Sequence, residues 1–200
     1  MEYKSAQAKL SIDIIRKKME EMGMPDLLVI KDKEKLAEYM MLYIAARIYS
    51  NIDTNHFGGK EGYGHVGAVI IIPGIDHIIF YQSQAVKGGW YHAEHGALRL
   101  ALQVCEQYGM DSLPEGCILI VSMEPCVGKV PNRIGDCCSN LVRNETFSDV
   151  FIGYRDRTLA DENSEMPQWP PHWKLITNSF VREVARDLYD FYGIWHDEQK

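Results

Sequence analysis

Three short stretches gather residues able to do metal chemistry: His92-Ala93-Glu94, Pro125-Cys126 and Cys137-Cys138. Together they offer an imidazole, thiolates and a carboxylate. Zinc binds readily to such a nitrogen and sulfur set, and three protein ligands leave the fourth tetrahedral position to water, the arrangement of a catalytic rather than a structural site. Two thiolates also balance the charge of the dication. A water held there still needs a base to take its proton and pass it on, and Glu94 is the candidate. Residues at i and i+2 do not share a helix face, so His92 and Glu94 serve one site only if His92 lies at the irregular first turn. Glu94 also continues the apolar stripe through Ala97 and Ala101, where an unpaired carboxylate is costly, so a purely structural role explains it poorly.

The surrounding pattern supplies elements to position these groups. Met1 to Met22 carries Ala8, Ile12, Ile15, Met19 and Met22 at helical steps and stops at Gly23 and Pro25. Leu27 to Ile30 reads as a short strand, and Lys31 to Ser50 as a second amphipathic helix. The apolar run Val66 to Ile72 suits a buried strand, Pro73-Gly74 a turn, and His77 to Tyr81 a hairpin partner. Val86 to Tyr91 reads as a loop, followed by a helix closed by Gly109. Cys117 to Val121 is a further buried strand, Cys137 to Glu145 a short helix, and Val150 to Tyr154 another strand. Arg155 to Pro171 is polar and irregular, Trp173 to Thr177 a last strand and Ser179 to Trp195 a closing helix. Strands alternating with helices define a layered α/β domain. Cys105 and Cys117 fall on apolar faces and read as packing residues.

The order His92-Ala93-Glu94, then Ser122-Met123-Glu124-Pro125-Cys126, then a later cysteine resembles the zinc-dependent cytidine deaminase superfamily, with its H-x-E and P-C-x-x-C pattern. Val66 to Ile70 resembles that family's first core strand, and Ala97-Leu98 follow the H-A-E as in its members. The resemblance covers about residues 36–154, the core of a single domain spanning 1–200 with helical extensions at 1–35 and 155–200. It implies a three-layer α/β/α cytidine deaminase-like fold with a mixed central sheet. Ten residues separate Cys126 from Cys137, where the family commonly has two. Such a loop is similar to that of the pyrimidine deaminase of riboflavin biosynthesis. Cys137 and Cys138 compete for the last ligand position. Leu141 and Val142 fit the family's apolar pair at four and five residues beyond Cys137, which is preferred with His92 and Cys126 as the zinc set.

The resemblance further implies that zinc activates a water, that Glu94 shuttles its proton, and that an aminated ring loses ammonia. Ser122 is implied as a contact through its carbonyl, and Asn55 or Asn51 through a side-chain amide. Lys129 and Arg133, in the loop between the cysteines, could hold a phosphate or ring substituent, and Trp90 could stack on a flat heterocycle. A pairing of His92 with His95 at i, i+3 is a weaker metal reading. His56, His65, His77, His172 and His196 have no ligand spacing.

Charge bears on the substrate. The net charge is −7, with 7 basic and 12 acidic residues between 36 and 154, so long nucleic acid is a disfavoured partner and a small nucleobase, nucleoside, nucleotide or related heterocycle is preferred. Editing of RNA or single-stranded DNA is the competing enzyme reading, and a non-catalytic zinc-stabilised binding module the reading from another class. Assembly into a homo-oligomer stays open. No apolar run approaches the roughly 18 residues of a membrane span. The start has no basic-then-apolar layout, and five cysteines without an export signal point to the cytoplasm.

Overall fold

The computed structural model describes residues 2–52, 62–87, 89–126, 137–155 and 169–198, without the side chains of 2–11, 52 and 191–198. Helix α1 (Glu2–Met22) ends at Gly23, whose φ of 69° lets its N–H turn back to the Met19 carbonyl at 3.0 Å. The strand expected at Leu27–Ile30 does not form. Asp26 Oδ1 accepts the backbone N–H groups of Leu28 at 2.9 Å and Val29 at 3.2 Å, which curls the segment into a turn that buries Leu27 alone. Helix α2 (Lys33–Ile52) starts two residues later than the apolar pattern suggests, because Asp32 caps it, accepting from Glu34 N at 3.1 Å and Lys35 N at 3.0 Å.

Strands β1 (Tyr63–Ile71), β2 (Ile79–Val86) and β3 (Gly89–Tyr91) form an antiparallel meander, so the expected loop after Val86 is partly a third strand. Helix α3 (Ala93–Gln107), β4 (Ile118–Met123), α4 (Cys138–Asn144), β5 (Asp149–Tyr154), β6 (Trp173–Leu175) and α5 (Ser179–Glu198) complete the order. Among the described residues, six strands make one mixed sheet in the order β3-β2-β1-β4-β5-β6, with β4, β5 and β6 parallel and β1 antiparallel to both its neighbours.

Alternation along the strands divides the core in two. Val69, Ile71, Ile118, Ile120 and Phe151 face α1, α2 and α5, and Ala68, Ile70, Leu119, Val121 and Ile152 face α3 and α4. The result is the α/β/α sandwich with a mixed sheet that the sequence implied. Among the described residues, no helix is long and apolar enough to cross a membrane.

The metal-capable residues sit where elements meet. His92 follows β3 and stands at the residue before α3, Cys126 lies three residues beyond β4, and Cys138 opens α4. Small residues let α3 lie close on the sheet: a Cβ on Gly96 would collide with the ring of Tyr81 on β2.

Candidate functional site

His92 has φ −73° and ψ 154°, an extended conformation ahead of the helix, while Glu94 stands in the first turn of α3. That offset lets two residues at i and i+2 turn toward the same point. The imidazole Nδ1 is 3.3 Å from Cys138 Sγ and 3.8 Å from Cys126 Sγ, and the three donor atoms all lie within 4.8 Å of one another. Tetrahedral bonds of about 2.3 Å to sulfur and about 2.0 Å to nitrogen place such donors about 3.6 Å apart. The observed spacing and the donor chemistry therefore fit zinc. Among the described residues, this is the one cluster of at least three histidine, cysteine or carboxylate groups placed to hold a metal.

Cys138 takes the place expected of Cys137. Cys137 is the residue before α4, and its thiol is 2.8 Å from the Cys126 carbonyl, to which it donates, and 3.4 Å from Ser139 Oγ. Helix α4 begins one residue later than the apolar offset suggests, so the inward-facing position of its first turn belongs to Cys138. The Cys138 backbone N–H also points to Cys126 Sγ at 3.5 Å. The Cys126 thiol is pushed down to about 3, chiefly by its hydrogen bond with the Cys138 thiol, against burial and aided by His92. Its partner Cys138 is held in the protonated form by the same bond and by burial.

Glu94 is only 4% exposed, and its Oε2 has no hydrogen-bond partner among the described residues. Burial pushes its carboxyl up to about 6, and the neighbouring His92 pulls it partly back, with Cys138 as a hydrogen-bonding neighbour. A buried carboxylate with an unused oxygen beside a donor cluster is what a proton carrier needs.

Of the other expected contacts, Ser122 is buried, and its Oγ accepts the Gly67 N–H at 3.0 Å, tying the end of β4 to β1. Trp90 lies on β3 opposite Ala85, with its ring 3.1 Å from the position a Cβ on Gly64 would take. Asn51, at the end of α2, donates to Gln82 Oε1 at 2.5 Å. His95 turns its ring toward Tyr91, centroid to centroid 6.0 Å, rather than joining His92. Asn55, Lys129 and Arg133 lie outside the described residues. Cys105 and Cys117 are buried packing residues, and burial pushes the Cys117 thiol up to about 12.

Spacing passed over His65. In β1, Tyr63 pairs with Gln84 and Gly67 with Gln82, so residues 64–66 bulge opposite Ser83 alone. Gln82 Nε2 donates to Gly64 O at 2.6 Å, and Ser83 Oγ accepts from Val66 N at 3.3 Å, pinning the bulge on both sides of His65. Burial, and then the charge of His92, pushes the His65 imidazole down to about 3, so it is neutral beside the cluster. Only strand pairing reveals such a residue. The one sequence signal, the glycines at 64 and 67, marks a bulge without saying where its side chain goes.

No protein-family model matches the chain, and no curated protein matches it. A solved structure from biochemical and structural studies of A-to-I editing by tRNA:A34 deaminases at the wobble position of transfer RNA is similar at 19% identity. The similarity covers 62% of this chain and 83% of that one, with a TM-score of 0.38. A superposition this loose carries no argument about substrate or activity.

Proposed function

We propose that the chain is a zinc-dependent hydrolytic deaminase acting on a small aminated heterocycle, built as one domain around residues 36–154. The observation that carries the reading is the convergence of His92, Cys126 and Cys138 next to the buried carboxylate of Glu94. A structural zinc site closes all four positions and needs no base, and a lone carboxylate buried at its edge would only cost stability.

His92, Cys126 and Cys138 are the residues that would hold zinc, which supplies Lewis acidity and lets water ionise near neutral pH. With zinc bound, Glu94 would pass one proton of the attacking water to the ring nitrogen as the oxygen adds to the ring carbon, then carry the second from that oxygen to the amine, whose C–N bond breaks to release ammonia. Burial lifts this carboxyl above the ordinary carboxylate range, as suits a group that must both take and give a proton. Trp90 is assigned as a stacking face for the ring and the Ser122 carbonyl as an acceptor for its amine. The acidic composition favours a small substrate over long nucleic acid. Five free cysteines suit a cytoplasmic setting.

The test is metal content together with ammonia release. About one zinc per chain is expected, with turnover of one or more cytosine, adenine, guanine or pterin compounds. Glu94→Gln should keep the zinc and lower kcat by about 10²–10⁴-fold. A folded protein that takes up no zinc, or a Glu94→Gln variant with the full rate, overturns the reading. Turnover confined to short RNA or single-stranded DNA transfers the assignment to the editing alternative.

A further inference from the structure

Residues from 155 onward lie outside the stretch that resembles a deaminase, yet two of them close on the turn that carries Cys126. Met123 is the last residue of β4 paired with β5, opposite Tyr154, and the Glu124 N–H donates to Tyr154 O at 2.9 Å. The chain then leaves the sheet through Glu124, Pro125 and Cys126. Glu124 is a carboxylate only 7% exposed, and both of its oxygens meet residues of the C-terminal extension. Trp169 Nε1 donates to Oε1 at 2.6 Å, and Arg155 Nε lies 3.6 Å from Oε2. The Arg155 guanidinium also stacks over the Trp169 ring, 4.7 Å from its centroid, so the three groups form one unit.

Glu124 precedes a proline, which confines its backbone to extended conformations and transmits its orientation directly to the next two residues. The far end of the turn is held by α4, where Ser139 N donates to Cys126 O at 3.1 Å. The Cys126 backbone is thus fixed from α4, and the side that comes off the sheet is fixed by the carboxylate. We propose that Trp169 and Arg155 are positioning residues for the metal centre: they clamp Glu124, and through Glu124 they set the turn that presents the Cys126 sulfur. The C-terminal extension thereby completes a site whose ligands all lie in the core. This inference rests on the zinc reading given above.

The test uses the full-length metal-free protein with Co²⁺ as the probe, in wild type, Trp169→Phe, Glu124→Gln and the double variant. Trp169→Phe keeps the ring and loses the N–H. It should weaken Co²⁺ binding by about 10-fold or more, the loss typical of residues that orient a ligand without touching the metal. It should also alter the thiolate-to-cobalt absorption band. The double variant should bind no more weakly than the weaker single one, because both break the same clamp. In the metal-free protein, amide hydrogen exchange across 122–126 should speed up in both single variants while 149–154 stays unchanged. Arg155→Leu, on a partly exposed side chain, should give a smaller loss in the same direction and serves where the tryptophan variant does not fold. Wild-type Co²⁺ affinity with unchanged exchange at 122–126, or losses that simply add, would overturn the proposal. If the wild type takes up no Co²⁺, the zinc reading falls by itself, and exchange across 122–126 still decides whether the clamp holds the turn.

Discussion

One step along the start of a helix turns a side chain by about 100°, which is enough to decide which of two adjacent cysteines joins His92 and Cys126 in the candidate cluster. Cys138 faces His92 at 3.3 Å, while Cys137 spends its thiol on the Cys126 carbonyl. Cys138→Ser is therefore expected to lose stoichiometric zinc and Cys137→Ser to retain it, as measured by metal analysis of purified protein. Retained zinc in the first variant would show that another residue completes the set. The residue types of the site were legible in the sequence because thiolate, imidazole and carboxylate have few reasons to gather at element ends. The choice between Cys137 and Cys138 was not, since a family offset of four and five residues cannot locate a helix start to within one position. His65 and Trp169 were illegible for a different reason. A bulge set by Gln82 and Ser83, and a contact across forty-five residues between Trp169 and Glu124, leave no local pattern.

Periodicity placed the helices and most strands, because burial of one face is written along each element as spacing. It failed where a single polar side chain overrules hydrophobic pattern, as Asp26 does to Leu28 and Val29, and where Asp32 shifts the start of α2. It also missed β3, three residues long and set by pairing with the end of β2 rather than by its own composition. These caps carry measurable weight. Asp32→Ala should cost about 1 kcal/mol in urea denaturation, the usual worth of an N-cap oxygen. Gly96→Ala should cost about 1–3 kcal/mol, because the added methyl must displace the Tyr81 ring beneath the first turn of α3. A wild-type midpoint in either variant would show that the element is anchored elsewhere.

Across the whole molecule, Asp149, the first residue of β5, joins three distant parts of the chain at the strand ends opposite the turn that carries Cys126. Lys33 Nζ at the start of α2 and Lys174 Nζ on β6 each lie 2.6 Å from one of its oxygens. Burial would raise its pKa, but the hydrogen bonds from Lys174 and Lys33 outweigh burial and hold the carboxyl below the usual value. A carboxylate depressed in the folded state binds fewer protons there than in the unfolded chain. Its contribution is complete above the unfolded pKa of about 4 and fades as pH falls through the lower folded value. Asp149→Asn should therefore lose about 1.5–3 kcal/mol at pH 7, and the gap from wild type should close at pH values below about 4, followed by urea unfolding. A gap independent of pH would mean that packing rather than charge is lost. The strand order carries a last consequence, for the time course of folding. The β1-β2-β3 meander joins neighbours in sequence, whereas β4, β5 and β6 run parallel and need long crossovers, which close more slowly. His92 belongs to the quick half, and Cys126 and Cys138, its partners in the candidate metal cluster, to the slow one. The two meet only after β1 has paired with β4, so capture of a metal ion by a refolding chain should lag behind formation of the meander and report the joining of the halves.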